Sequence, residues 1–297
     1  MITPNYLSKG DTIAIAAPAR KISLEELQPA IDLFERWGLK VVFAENLFKS
    51  HHQYAGTDNE RIEGMNQLLN NPNVKAIISA RGGYGTVRIV DGLDFSKFME
   101  NPKWIAGYSD ITVLHSDIHS ELGVETLHCS MPINFAENTS DAIESMRKAL
   151  FGEALNYEVE AHEYNKTGFA SGELVGGNLS VLYSLSGSFS DINTDGKILF
   201  IEDLEEYLYH IDRMIIQLKR SKKFWSLSGL IIGAMNKMND NAIPFGKQAY
   251  EIIAEHVAEY DFPVCYGFPA GHIDDNRTLI MGRKITLEVA DKTIVSF

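Results

Sequence analysis

Between Thr12 and Cys129 short apolar runs alternate with stretches of helical periodicity, and this alternation constrains the fold more than any single motif. Thr12 to Ala17 is an apolar run closed by Pro18. Ser23 and Glu26 then have capping-box spacing, and the helix they open carries Leu24, Leu27, Ile31 and Phe34 on one face until Gly38 stops it. Leu39 to Ala44 reads as the next strand. After a long loop with His51, His52 and Gly56, a helix turns Ile62, Met65 and Leu69 inward. Ala76 to Ala80, Trp104 to Tyr108 and Thr126 to Cys129 read as further strands, with another helical stretch after Gly85. Strands that alternate with helices imply a parallel sheet covered on both faces. The first half of the chain is therefore predicted to be an α/β domain.

Such sheets bind ligands beyond the carboxyl ends of their strands, where Pro18, Arg81 to Gly85 and Ser109 fall. In Trp104-Ile105-Ala106-Gly107-Tyr108-Ser109-Asp110-Ile111-Thr112 an apolar run ends in a serine, and a helix with Ile111, Leu114, Ile118 and Leu122 inward begins at once. A sharp strand-to-helix turn exposes the serine oxygen and aims the first free N–H groups of the helix, starting with Asp110, at a reacting carbonyl. Ser109 is thus a candidate nucleophile, although Ser109 or Asp110 as a plain N-cap accounts for the same residues. Gly107 stands two before the serine, as in a nucleophile elbow, but Ile111 stands two after it where that motif has glycine. Arg81-Gly82-Gly83-Tyr84-Gly85 can bring bare N–H groups to a ligand, which makes Gly83 a candidate oxyanion donor; a tight turn needing positive φ explains the same glycines. Arg81 leads that turn, and its guanidinium suits either a substrate carboxylate or a bracing contact within the protein.

After a helix around Ile143, Met146 and Leu150, residues 151–168 are mixed and charged and read as a crossing between domains. They divide the chain into 1–150 and 169–297. In the second part, strands at Lys197 to Ile201 and Leu230 to Ile232 mix with helices carrying Ile211, Met214, Ile215 and Leu218 and spanning Ala249 to Val257. Thr278 to Phe297 reads as short strands with turns at Gly282-Arg283 and Asp291-Lys292. Glu202 ends an otherwise apolar strand, a position suited to orienting an imidazole, while Asp203, Glu205 and Glu206 beside it also suit a solvated helix cap. His272 lies in the turn Gly267 to His272, from which a side chain can reach a neighbouring site or simply face solvent. His115 and His119 are four apart with His128 nearby, but Ser116 stands where the zinc peptidases have glutamate, so no metal is predicted.

Lysine and arginine number 27 against 40 aspartates and glutamates, a formal charge of −13. With no basic patch, a nucleic-acid partner is not expected. Cys129 and Cys265 are the only cysteines and nothing marks them as a pair, which suits a reduced cytoplasmic setting. The amino terminus lacks the pattern of a secretory signal, and no apolar run reaches the roughly eighteen residues of a membrane span.

In this order the pieces resemble the LD-carboxypeptidases (muramoyl-tetrapeptide carboxypeptidases), serine peptidases of bacterial cell-wall recycling. The resemblance is carried by Gly10-Asp11-Thr12-Ile13-Ala14, Ala55-Gly56-Thr57-Asp58, Arg81 to Gly85, Pro102-Lys103-Trp104 through Gly107-Tyr108-Ser109-Asp110, Gly176-Gly177-Asn178-Leu179, Phe200-Ile201-Glu202-Asp203, Ile211-Asp212-Arg213-Met214 and Gly267 to His272. It implies a Ser109, Glu202, His272 triad, with the N–H groups of Gly83 and Asp110 receiving the oxyanion and Arg81 and Tyr108 as candidate substrate contacts. It also implies a flavodoxin-like N-terminal α/β domain, a swivelling β-rich α/β C-terminal domain and a homodimer. The implied substrate is murein tetrapeptide, from which terminal D-alanine is released, and no cofactor is implied. The related microcin immunity peptidases, which cleave acyl-sulfamoyl adenylates, and a non-catalytic binding module of the same fold are the alternatives. Cys129-Ser130-Met131 stands where many relatives carry Gly-Pro-Met, and Ile280 where a proline is common.

Overall fold

A computed structural model describes residues Met1 to Phe297. The first half contains β1 (Thr12–Ala16), α1 (Leu24–Arg36), β2 (Lys40–Phe43), α2 (Asp58–Leu69), β3 (Val74–Ser79), α3 (Ser96–Glu100), β4 (Trp104–Gly107), α4 (Thr112–Asp117), β5 (Thr126–His128) and α5 (Ser140–Phe151). The second contains β6 (Asn156–Glu160), β7 (Gly168–Asn178), α6 (Leu179–Leu185), β8 (Ile198–Leu204), α7 (Leu208–Arg220), β9 (Gly229–Asn236), α8 (Ala249–Val257), β10 (Val264–Tyr266), β11 (Leu279–Met281), β12 (Lys284–Val289) and β13 (Lys292–Ser296).

The capping box forms as the sequence predicts: Ser23 Oγ accepts from Glu26 N and Glu26 Oε2 accepts from Ser23 N. Strands β1 to β5 run parallel in the order β5-β4-β3-β1-β2. Both faces are buried, because side chains alternate along each strand. Ile13 and Ile15 pack with α1 and α5 residues such as Leu27, Phe34 and Met146. Ala14 and Ala16 pack on the other side with Met65 and Leu68 of α2 and Val113 of α4.

The sheet also contains a strand that the sequence assigned elsewhere. β11, from the last twenty residues, pairs antiparallel with β5 through Leu279↔His128 and Met281↔Thr126, so the first sheet is not wholly parallel. Three apolar residues carry no signal of which edge they will cover, yet an uncovered strand edge would leave backbone donors and acceptors unpaired. Likewise, Asn156–Glu160 within the expected crossing is a strand that pairs with β13. The helical stretch expected after Gly85 is two short 3-10 turns, Thr86–Arg88 and Val90–Gly92.

The second sheet has the order β10-β9-β8-β7-β12-β13-β6. Its first four strands are parallel and the rest antiparallel, and the change occurs within β7, whose Gly168–Glu173 segment pairs with β12 and whose Leu174–Asn178 segment pairs with β8. One core cluster of 40 buried residues includes Ile78 and Trp104 of the first sheet and Phe200 and Ile231 of the second, so the halves share their interior. Helices α7 and α8 cover the far face of the second sheet over Leu199, Ile201 and Leu230. No helix is long and apolar enough to cross a membrane.

Candidate active site

The carboxyl ends of the two parallel strand sets meet at one cleft. From the first sheet come Arg20 after β1, Arg81–Gly83 after β3 and Ser109 after β4; from the second come Asn178 at the end of β7, Asp203 in β8 and His272 in the loop after β10. They line a cavity of about 420 Å³.

Ser109 holds its backbone at φ 63°, a left-handed conformation that costs a non-glycine residue roughly 1–2 kcal/mol. Local contacts enforce it. The buried Asp110 carboxylate accepts from Thr86 N at 2.9 Å and Thr86 Oγ1 at 2.6 Å, which ties the serine turn to the end of the glycine loop. His115 Nε2 donates to Gly107 O at 2.9 Å one turn further on. Within the loop, Gly82 approaches the serine most closely: a methyl group there would lie 3.1 Å from Ser109 Cβ, so any side chain at Gly82 would press on Ser109. Gly83 and Asp110, the expected oxyanion donors, both line the cavity.

His272 Nε2 lies 3.1 Å from Ser109 Oγ and His272 Nδ1 lies 2.7 Å from Glu202 Oε2. Glu202 is fully buried. Its other oxygen accepts from Asn178 Nδ2 at 3.3 Å, and the same amide donates to Asp203 Oδ1 at 3.0 Å. Gly271 makes the histidine contact possible: its φ is 111°, and a Cβ there would stand 2.7 Å from Glu202 Oε2. Burial pushes the His272 pKa down, but the Glu202 charge and hydrogen bond outweigh it and leave it above the ordinary value of 6.5. Burial and the neighbouring Glu202 push the Asp203 carboxyl up to about 7, against the donors from Leu204 N and Asn178.

Tyr108 is buried, its ring centroid 4.8 Å from that of His272 and its hydroxyl donating to Asn134 Oδ1 at 3.2 Å. Arg81 lines the cavity and donates to Lys21 O at 3.2 Å. Arg20, which no motif of the sequence marks as a site residue, lies across Gly83, where a Cβ would come within 2.5 Å of Arg20 Cδ. Asn178 is marked in the sequence only by the glycine pair before it at a strand end.

His115 of α4 and His119, in the π-helical turn Ile118–Leu122 that follows it, go separate ways. His115 bonds the Gly107 carbonyl, His119 Nε2 accepts from Lys197 Nζ at 2.7 Å, and burial lowers both pKa values to about 4. No group of three or more His, Cys, Asp or Glu side chains is arranged to hold a metal ion. The geometry at Ser109 can instead support acyl transfer: a part-buried hydroxyl at the cavity wall, an imidazole in reach, and a buried carboxylate that fixes the tautomer.

Residues 13–129 match the family described as LD-carboxypeptidase N-terminal domain, and residues 171–287 match LD-carboxypeptidase C-terminal domain. A probable murein peptide carboxypeptidase of Bacillus subtilis is 35% identical over 98% of this chain and 93% of its own length. The microcin C7 self-immunity protein of Escherichia coli is 28% identical over 97% of this chain and 93% of its own. The crystal structure of muramoyltetrapeptide carboxypeptidase from Oxalobacter formigenes superposes with a TM-score of 0.87 at 27% identity, over 96% of this chain and 98% of that one.

Proposed function

This chain belongs to the LD-carboxypeptidase family, and we propose that it is a serine carboxypeptidase that releases terminal D-alanine from murein tetrapeptide by hydrolysing an L,D-peptide bond, in peptidoglycan recycling. The observation that carries the proposal is the unbroken line from Ser109 Oγ through the His272 ring to Glu202 Oε2. In the proposed reaction, neutral His272 accepts the Ser109 proton at Nε2 as Oγ attacks the carbonyl. Glu202 holds the Nδ1 proton and stabilises the imidazolium that forms. The N–H groups of Gly83 and Asp110 receive the oxyanion, and Arg81 and Tyr108 contact the peptide. His272 then gives its proton to the leaving amine, and water repeats the sequence on the acyl-enzyme.

The nucleophile belongs to 1–150 and its partners to 169–297, a division supported by the separate family matches at 13–129 and 171–287. A cytoplasmic setting, supported by two free and buried cysteines, and a homodimer, resting on the family resemblance, complete the proposal. Mass spectrometry of products from defined muropeptides tests it: loss of one alanine from the tetrapeptide is expected. The 28% identical immunity protein supports a second reading, cleavage of an aminoacyl sulfamoyl adenylate. Preference for that compound over tetrapeptide would select it. Failure of a serine-directed phosphonate to label Ser109 would leave a binding module without chemistry.

A further inference from the structure

We propose that Lys237 anchors the free carboxylate of the leaving amino acid, in an arm of the cleft beyond His272. The inference rests on the carboxypeptidase reading above and adds the residue that would make the enzyme require a free chain end.

The cavity that holds Ser109, Asp110 and the glycine turn adjoins a second space of about 450 Å³. The two share Tyr108, Asn134, Leu204 and His272, while Gly82, Gly83, Ser109 and Asp110 border only the first. In acyl transfer the oxyanion faces the N–H donors, and the leaving nitrogen must face the imidazole that returns a proton to it. The acyl part of the peptide therefore occupies the first space and the departing amino acid the second.

The charged groups of that arm are Glu137, Lys237 and Asp274. Lys237 is exposed, and no carboxylate of the chain pairs with it. Its position is nevertheless fixed through the backbone. Asn236, the last residue of β9, donates from Nδ2 to His272 O at 2.8 Å and accepts from Glu205 N at 3.0 Å, so Lys237 follows a residue bonded to the main chain of the histidine. Lys237 has φ 50°, Glu205 φ 59° and Ser109 φ 63°. Of the five non-glycine residues with positive φ in the chain, these three border the two spaces on either side of His272. Left-handed backbone at non-glycine residues persists only where surroundings impose it, and it gathers at ligand sites. One ammonium and two carboxylates suit a zwitterionic amino acid, whose ammonium appears as the peptide bond breaks, and disfavour a dianion.

The test compares kcat/KM of the full chain on a tetrapeptide with a free terminal carboxylate and on its C-terminal amide. The wild type is expected to prefer the acid by about tenfold or more, the usual scale of one hydrogen bond to a charged group. Lys237→Met should abolish that preference, chiefly through KM, and Lys237→Arg should retain most of it. An undiminished preference in Lys237→Met overturns the proposal. Binding of D-alanine and of D-alanine amide, followed by saturation-transfer NMR, separates it from the reading it rests on. D-alanine bound by the wild type but lost in Lys237→Met supports the anchor even in a chain that cleaves no tetrapeptide, an outcome that would sink the carboxypeptidase reading alone. Equal D-alanine binding by both proteins rejects the anchor and leaves that reading standing.

Discussion

Ser109 and His272 are held by different kinds of contact. Ser109 sits on a turn braced from within its own half, by Asp110 on Thr86 and by His115 on Gly107. His272 hangs from a loop whose restraints cross the chain: Glu202 is 70 residues away, Asn236 36 and Ser109 itself 163. The sheets differ in the same sense. The first lends the site the carboxyl ends of consecutive parallel strands, whereas only the parallel part of the second faces the cleft and its antiparallel strands lie beyond β7. The turn at Ser109 is thus braced mainly within one half, and the line from Ser109 through His272 to Glu202 is a property of the assembled molecule.

Separation of the halves should have the largest effect. Isolated residues 1–150 lack β11 on the β5 edge and much of a shared core, so they should fold poorly and hydrolyse nothing in a product assay. Hydrolysis by that fragment would break the comparison, since the second region would be dispensable. Next come Ser109→Ala and His272→Ala, each expected to lower kcat by roughly 10⁴–10⁶, with the double variant little worse because members of one catalytic unit are non-additive. Additive losses would mean that the two regions act separately.

Glu202→Gln should lower kcat by about 10⁴ or somewhat less, as loss of the tautomer-fixing carboxylate does in other triads. It also has a pH signature. The base must be neutral, so wild-type kcat/KM should fall as pH drops through a midpoint above 6.5, where Glu202 holds the His272 pKa. Without that charge, burial dominates and the acid limb should move to lower pH. An unmoved limb in the variant would show that another group titrates.

Arg81→Lys should cost less than about tenfold, a lost bidentate contact at a partly solvated site. The loss should be equal on acid and amide substrates, with melting temperature nearly unchanged, if Arg81 meets the acyl part of the peptide. A lowered melting temperature would assign Arg81 to its Lys21 contact. The smallest effect is expected from exhaustive chelation, which should leave full activity; rescue of a chelator-induced loss by zinc would reopen His115 and His119.

The amino-acid sequence determined what short-range chemistry can write. Capping at Ser23 and Glu26, the apolar run that ends at Ser109 and the helical pattern after it, the glycine turn and the alternation that makes a parallel sheet are all set by residues a few positions apart. Ser109 and His272 were legible as candidates because each follows a strand, and Glu202 because it closes an apolar run, although β8 continues two residues past it; their pairing came from family resemblance. Only the tertiary structure decided the distances among them. It alone placed β11 against β5, drew Asn178 between Glu202 and Asp203, and brought Arg20 over Gly83 and Lys237 to a space that His272 also borders. Periodicity reports which face of an element is buried, not which distant element covers it. Polar groups at strand ends carry no periodic signal, so their partners become visible only when the two sheets share a core and turn their carboxyl ends to one cleft.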